Sequence, residues 1–554
     1  MDDSAVEETD RTTMARAWGM WRGGQGNLDL DPHTAGWPSL PFYVALAGQV
    51  TYKAVWSISS GEHGTDSFIR HAQAHPDKLF AFARLTGVVL GLLSIIITGK
   101  LGSQVLGPTA GLVAALLLAV NPSHIAASQH VADPNLLALL FSVAVCWAMA
   151  RASGRPSLGG AALVGALIGL ATSSKYVPMV LFMPLAWMEV ERVRAGRSHA
   201  SESTTRLAVS VLTGALMFAL TSPFTLLQGA VTSRDVMAQV GALSSDWTGQ
   251  SRFPIALPDY ILGTLPRMLG PALYAVSVAG LALLWRRSIQ GRLVVLCAAV
   301  LILANGLLSV AQPRYILPAL PFILIGAAAA LTWGWSAARE RLHGRARFVF
   351  AALVVFLLLP GALELVRTRR AMAAPDSRHE ARAWLNTHVP PEVPMVVELY
   401  GPVVNSGQME RLAIAWPFFS VRPERVSAAY HVEYLDGFLV YVTSSSVSDR
   451  YRATPDKYPS EVAYFDWLRT HARVLWTSDT TRASGPVIRV LALPVPIGSP
   501  ETRRKLWAKE AGNPMDSTRI AGWSQQVAML FALAGDSTRA VEWATRYQSV
   551  GRRP

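Results

Sequence analysis

Ten stretches of the chain are almost free of charge: 85–98, 105–121, 134–150, 158–174, 176–188, 207–227, 268–285, 293–312, 316–337 and 348–363. A helix that crosses a bilayer needs about 20 apolar residues, with a range of roughly 17 to 25. Several of the ten match directly, 85–98 reaches that length with its flanks, and 176–188 fits a re-entrant segment as well as a span. The pattern predicts a multi-pass α-helical membrane protein with about ten spanning helices. The stretch 41–58 (PFYVALAGQVTYKAVWSI) interleaves apolar and polar positions. It reads as an amphipathic helix lying at the outer interface, because a span there would invert the charge order of every later loop.

Beyond Val366 the pattern changes. Helices are expected near Ser377–Asn386 and Glu461–His471, among β-rich runs at Met395–Leu399, Phe438–Thr443, Arg473–Trp476 and Val487–Leu493. Strands alternating with helices predict a small α/β layer structure. Residues 501–554 read as two or three amphipathic helices, and AGDSTRAVEWATRY among them resembles half of a tetratricopeptide-type repeat. A single unit without a periodic partner falls short of a repeat array. Four regions result: a first outer loop with the interfacial helix (1–78), a transmembrane domain (79–366), an extracytoplasmic α/β domain (367–500) and a helical tail (501–554).

Composition agrees with a membrane class. The chain has 554 residues, 51% hydrophobic and 16% charged, whereas soluble domains carry about a quarter charged residues. The net charge of +13 argues little for nucleic acid, because the arginines sit mainly in short loops between apolar runs. Loops at 99–104, 151–157, 189–206, 286–292 and 338–347 hold fourteen Lys and Arg; the alternate loops at 122–133, 175, 228–267 and 313–315 hold five. Cytoplasmic loops carry the excess, so the first set faces the cytoplasm, and the N-terminal region and everything after Val366 face outward. An outward N-terminus calls for a preceding helix or a cleaved signal, so a first spanning helix is expected ahead of this start, for eleven in all. Cys146 and Cys297 lie inside apolar runs, which gives no disulfide framework.

Candidate chemistry gathers at the outward ends. The acid-rich start carries Asp2, Asp3, Glu7, Glu8, Asp10, Asp29 and Asp31, and reads as a solvated leader or as part of a reaction site. The loop NPSHIAASQHVADPN (121–135) contains His124, His130 and Asp133 and no Lys or Arg. Asp133 precedes a proline that can open a helix, so an N-cap role stands level with a functional carboxylate. The two histidines, six residues apart with no carboxylate in a metal motif, point less to a metal site than to ordering a loop or an acceptor, and His33 is grouped with them. Lys175, alone between two apolar runs in SSKYVP, either snorkels to the headgroups or holds a phosphate. Arg314, in AQPRYILPALP, offers bidentate pairing with phosphate, and Tyr315 beside it is an interface anchor or part of the same site.

In their order these features resemble the C-type glycosyltransferase superfamily, in particular the bacterial membrane transferases related to protein O-mannosyltransferases and to the lipid A aminoarabinose transferase. Asp2-Asp3 resembles the family's acidic pair, and DPHTAGWPSL (31–40) its aromatic-Pro motif ahead of an interfacial helix. NPSHIAASQHVADP resembles its second acidic loop, GLATSSKY (169–176) its Lys-Tyr element and RYILPALP (314–321) its Arg-Tyr element. The outer tail is similar at EARAWLNTHVPPEVPMVVELYGP, TSSSVSDRYR and GPVIRVLALP, so the resemblance covers about residues 1–495.

The resemblance implies an inverting transfer of a sugar from a polyprenyl-phosphate carrier to a protein, lipid or glycan acceptor at the outer face of the membrane. By family position Asp2 or Asp3 is the base, Lys175 and Arg314 hold the phosphate, and Asp133 is a catalytic-site residue that orders the acceptor or the site; a divalent metal stays open. Spacing to Pro38 fits Asp10 better than Asp3, whereas the acidic pair fits Asp2-Asp3. Two other classes are weighed. A transporter needs ionisable groups near the midplane and an internal repeat, and neither is seen. A membrane scaffold would not need Lys175, Arg314 and Asp133 on one side.

Overall fold

The computed structural model describes residues 8–22, 28–34, 36–244, 252–342, 345–389, 393, 395–398, 400–402, 404, 412–415, 439–456, 458–479, 483–493 and 541. Asp2, Asp3 and nearly all of the expected helical tail lie outside them. The described residues divide into two compact units, one ending at Val366 and the other beginning at Arg367.

The first unit is helical. Its first half runs α1 (Glu8–Gly19), α2 (Leu40–Ser60), α3 (Thr65–Ala74), α4 (Pro76–Leu106), α5 (Pro108–Ala119), α6 (Pro122–Ala127), α7 (Pro134–Gly154), α8 (Leu158–Ser174), α9 (Phe182–Arg194), α10 (Ala200–Thr221), α11 (Pro223–Leu227) and α12 (Gly229–Ser244). After a broken segment, Leu257–Leu269, come α13 (Pro271–Arg287), α14 (Ile289–Gly306), a 3₁₀ turn at Pro313–Ala319, α15 (Leu320–Leu342) and α16 (Ala346–Ala373). Proline opens α4, α5, α6, α7 and α13 at their first turns, where its missing N–H costs nothing.

Each of the ten apolar stretches falls on a helix. Among the described residues six helices are long and apolar enough to cross a membrane, and seven if Leu257–Leu269 and Pro271–Arg287, bent by 115° at their break, form one span. Pro108–Ala119 and Leu158–Ser174 are apolar but shorter, and 176–188 divides into a 3₁₀ turn, Val177–Leu181, and α9. The apolar window of Pro313–Arg341 is 83% buried and that of Arg347–Arg367 only 6%. A helix apolar all round yet exposed to this degree fits a hydrocarbon surrounding. In α2 one face is buried, through Phe42, Ala45, Leu46, Gln49, Tyr52 and Trp56, the i, i+3, i+4, i+7 spacing of an amphipathic helix.

At the end of the bundle where α9 meets α10, three charges are buried together. Glu189 accepts from Arg192 and from Arg206 Nε (3.0 Å) and Nη2 (2.8 Å), and Arg206 also reaches Ser198 and Ser203. Arg192 in turn donates to the Ala152 carbonyl at the end of α7.

The second unit is an α/β layer structure. Its strands are β1 (Met395–Glu398), β2 (Leu412–Ala415), β3 (Val440–Ser444), β4 (Arg473–Thr477) and β5 (Ile488–Ala492), in the order β2-β1-β3-β5-β4. β1 pairs parallel with β2 and β3, and β5 antiparallel with β3 and β4. Met395 and Val397 pack on one face against Ala381 and Leu385 of α17 (Ser377–His388). Val396 and Tyr441 pack on the other against Val447 of α18 (Ser445–Arg452) and Tyr464 and Leu468 of α19 (Pro459–His471). Both faces are covered, so the central strands read as near-continuous apolar runs. Four of the five strands follow the expected runs; β2 is an addition.

Candidate functional site

Asp133 caps α7. Its Oδ1 accepts from the backbone N–H of Asn135 (2.6 Å) and Leu136 (3.1 Å) and from Asn135 Nδ2 (3.1 Å). This fixes the Asn135 side chain with its oxygen turned to Lys175, whose Nζ donates to Asn135 Oδ1 at 2.8 Å. Lys175 follows the last turn of α8 in an extended conformation. Its ammonium lies 3.9 Å from the centroid of the Tyr315 ring, and the Arg314 guanidinium lies 5.7 Å from the same centroid. Burial, reinforced by the Arg314 charge and opposed by Asp133, lowers the Lys175 pKa to about 7. Three sequence candidates, Asp133, Arg314 and Tyr315, thus gather about the fourth, Lys175, with Asn135 bonded to both Asp133 and Lys175.

The loop that carries Asp133 is seated on α4 through two glycines. A Cβ at Gly87 would stand 2.1 Å from the His130 carbonyl oxygen, and one at Gly91 would stand 2.4 Å from Ser128 Oγ. His124 is buried in this seat, with Nε2 2.8 Å from Ser94 Oγ on α4, and burial lowers its pKa to about 4. His130 is half-buried in the same loop. Ala132 has φ +45°, a left-handed conformation costing about 1–2 kcal/mol in a residue with a Cβ.

α1 closes over this loop. Thr13 Oγ1 donates to the Val131 carbonyl at 3.1 Å, and Met14, Ala17, Val131 and Ala132 share one core with Phe42 and Phe68. Asp10 lies three residues before Thr13 on α1.

A second polar group is built from 29–33. His33 Nε2 lies 2.8 Å from Asp29 Oδ2, and its Nδ1 lies 3.4 Å from Asp31 Oδ2. The Asp31 backbone amide and then the His33 ring hold Asp29 below the usual carboxylate range. Asp31 Oδ2 also accepts from Gln228 Nε2 at 2.5 Å, and Ser39 N–H donates to Ser222 Oγ at 3.0 Å, which ties the segment to the end of α10. His33, at φ +49°, therefore belongs to an Asp29–Asp31 cluster. Among the described residues no group of three or more His, Cys, Asp or Glu is placed to hold a metal ion.

The sequence reading missed Asn135, Gln228 and the pairing of Asp29 with Asp31. The D-x-D-x-H spacing of 29–33 was a usable signal. Asn135 gave none, because Asp-Pro-Asn reads as an ordinary helix start.

A helical unit with six or seven apolar helices of spanning length among its described residues, together with an α/β unit, defines a class: a multi-pass membrane fold with an appended domain. Residues 77–226 match the dolichyl-phosphate-mannose-protein mannosyltransferase family, so the match covers α4 to α11. The oligosaccharyltransferase of Archaeoglobus fulgidus, in the apo form, is similar with a TM-score of 0.52 and 14% identity, over 88% of this chain and 71% of that one. AglB from the same organism, in complex with an inhibitory peptide and a dolichol-phosphate, is similar with a TM-score of 0.53 and 12% identity, over 98% and 82%. ArnT from Cupriavidus metallidurans, in the apo state, scores 0.41 with 14% identity, over 89% and 93%. Comparison with curated protein sequences gives no match. These likenesses show a fold shared with the Archaeoglobus fulgidus oligosaccharyltransferase.

Proposed function

We infer that this chain is a membrane glycosyltransferase, moving a sugar with inversion from a polyprenyl-phosphate carrier to a protein, lipid or glycan acceptor at the outer face of the cytoplasmic membrane. The observation that carries the reading is the Lys175 ammonium, held 2.8 Å from Asn135 Oδ1 and over the Tyr315 ring with Arg314 beside it. The likeness to AglB, which binds a dolichol-phosphate, supports a lipid phosphate as the anion these cations meet.

In the proposed reaction the acceptor heteroatom attacks the anomeric carbon while a carboxylate takes its proton. The bond from that carbon to the phosphate oxygen breaks on the opposite face. The negative charge growing on the phosphate is met, in this reading, by Lys175 and Arg314. Asp133 acts through Asn135 as a positioning residue. Asp3 or Asp2 is the base by resemblance. Asp10 is the alternative, supported by the bond from Thr13, three residues further along α1, to Val131. The domain after Arg367 faces outward on the loop-charge argument, where the acceptor would arrive.

Binding of a polyprenyl-phosphate analogue to the purified protein tests the assignment. Charge-assisted hydrogen bonds contribute about 1.5–3 kcal/mol, so Lys175→Ala and Arg314→Ala are each expected to weaken binding by about 10- to 100-fold. Wild-type affinity in both variants would remove the phosphate role. Asp3→Asn and Asp10→Asn, compared in a transfer assay at normal expression, separate the two bases.

A further inference from the structure

At the end of the first unit opposite Asp133 and Lys175, a cleft of about 1100 Å³ opens over the seam between α4 and α7, with α5 and α8 as its walls. α7 is 21 residues long, so at about 1.5 Å per residue the cleft lies roughly 30 Å from Asp133, about the thickness of a bilayer's hydrocarbon core. The cleft has two chemistries. Its walls are apolar: Ile96, Leu112 and Leu163 line it and are 53%, 73% and 47% exposed, with Trp147 half-buried between them. Its rim is cationic. Lys100, Arg151 and Arg155 line it and are exposed, Arg151 lies over the Trp147 ring at 5.2 Å, and none of its lining residues is an Asp or Glu. Ser157 and Gly160, the N-cap and third residue of α8, lie in the same wall, so the positive end of that helix dipole adds to the rim.

A soluble anion would use the rim and gain nothing from the apolar walls; a neutral lipid would use only the walls. One ligand uses both. We propose that this cleft binds an anionic glycerophospholipid of the leaflet opposite the transfer site. Its phosphodiester sits among Lys100, Arg151, Arg155 and the start of α8, and one acyl chain lies along the α4–α7 seam between Leu112 and Leu163. Basic pockets between membrane helices on the cytoplasmic side hold such headgroups, and this rim belongs to the loop set with the Lys and Arg excess. The site is separate from the carrier site and does not depend on the transferase reading.

The test is native mass spectrometry of the full chain released from detergent, titrated with phosphatidylglycerol or with phosphatidylcholine. The wild type is expected to retain phosphatidylglycerol preferentially. Each cation near the headgroup is worth about a 5-fold change in affinity, so the triple variant Lys100→Gln, Arg151→Gln, Arg155→Gln is expected to lose phosphatidylglycerol on the order of 100-fold. Its phosphatidylcholine adducts and thermal midpoint are expected to stay at wild-type values. Equal retention of the two lipids by the wild type overturns the proposal, as does undiminished phosphatidylglycerol binding by the variant. Equal loss of both lipids in the variant overturns a headgroup site. Displacement of phosphatidylglycerol by equimolar glycerol 3-phosphate overturns the lipid assignment in favour of a soluble phosphate.

Discussion

Asn135 joins the two ends of the candidate site: one side chain receives Asp133's hold and passes it to Lys175. Asn135→Leu keeps the size of the side chain and removes both bonds. The expected result is an affinity for a polyprenyl-phosphate analogue weaker by about 5- to 150-fold, the range that about one to three kcal/mol spans; unchanged affinity would make Asn135 a bystander. Lys175 adds a pH dependence. Its pKa is lowered to about 7 in the free protein, so a rise from pH 6.5 to 8.5 strips the ammonium and weakens phosphate binding. Lys175→Arg stays charged throughout, and the difference between the two affinity profiles isolates Lys175 from the titration of the phosphate itself. Glu398, in the second unit, is buried and accepts from Tyr441 OH (2.8 Å) and Ser444 N–H (2.6 Å). Burial raises its pKa from 4.5 to about 7. The folded unit therefore holds that proton more tightly than the unfolded chain, and stability is lost as pH rises across that window. The protection factors of the amides in Met395–Glu398 and Val440–Ser444, taken relative to intrinsic exchange at each pH, should fall between those pH values in the wild type and change far less in Glu398→Gln.

At the scale of elements, the seat of loop 121–133 on α4 decides whether Asp133 is presented at all. Gly87→Leu would drive a side chain into the His130 carbonyl, which a Cβ alone approaches to 2.1 Å. The loop must lift, and transfer and phosphate binding are expected to fall together while α4 stays inserted; a variant that binds and transfers normally would show the seat to be dispensable. The elements themselves were largely legible in the sequence. Uncharged stretches become helices because a backbone in hydrocarbon must satisfy its hydrogen bonds within the segment, and the alternation after Arg367 becomes strands and helices that bury their apolar faces against one another. Less legible were features that arise between distant segments. Asp31 and Gln228 are 197 residues apart, and Lys175 and Asn135 are 40 apart; no local period marks either pair. The 115° bend at Gly270 divides what reads as one apolar stretch, 268–285. β2 (LAIA) has four residues of which two are alanine, a residue depleted in strands. Of the site, the charged members were visible from their isolation between apolar runs, and the neutral Asn135 between them was not.

For the whole molecule, the alternation of basic loops makes a topological statement that labelling can check. Ser201 and Thr470 are exposed, and the native Cys146 and Cys297 are buried. In intact spheroplasts an impermeant thiol reagent is expected to label Thr470→Cys, and to label Ser201→Cys only after permeabilisation. The reverse pattern overturns the orientation, and with it the outward placement of the transfer site. The buried charges around Glu189 bear on how such a chain is made. Glu189 and Arg206 are 17 residues apart, and the remaining partner of Arg192, the Ala152 carbonyl, precedes both. Every member of the cluster has therefore left the ribosome once Arg206 has, before α13 to α16 exist. The junction of α9 and α10 can close its Glu189–Arg192–Arg206 contacts before the later helices arrive, so α7 to α10 are available as a finished block onto which those helices assemble.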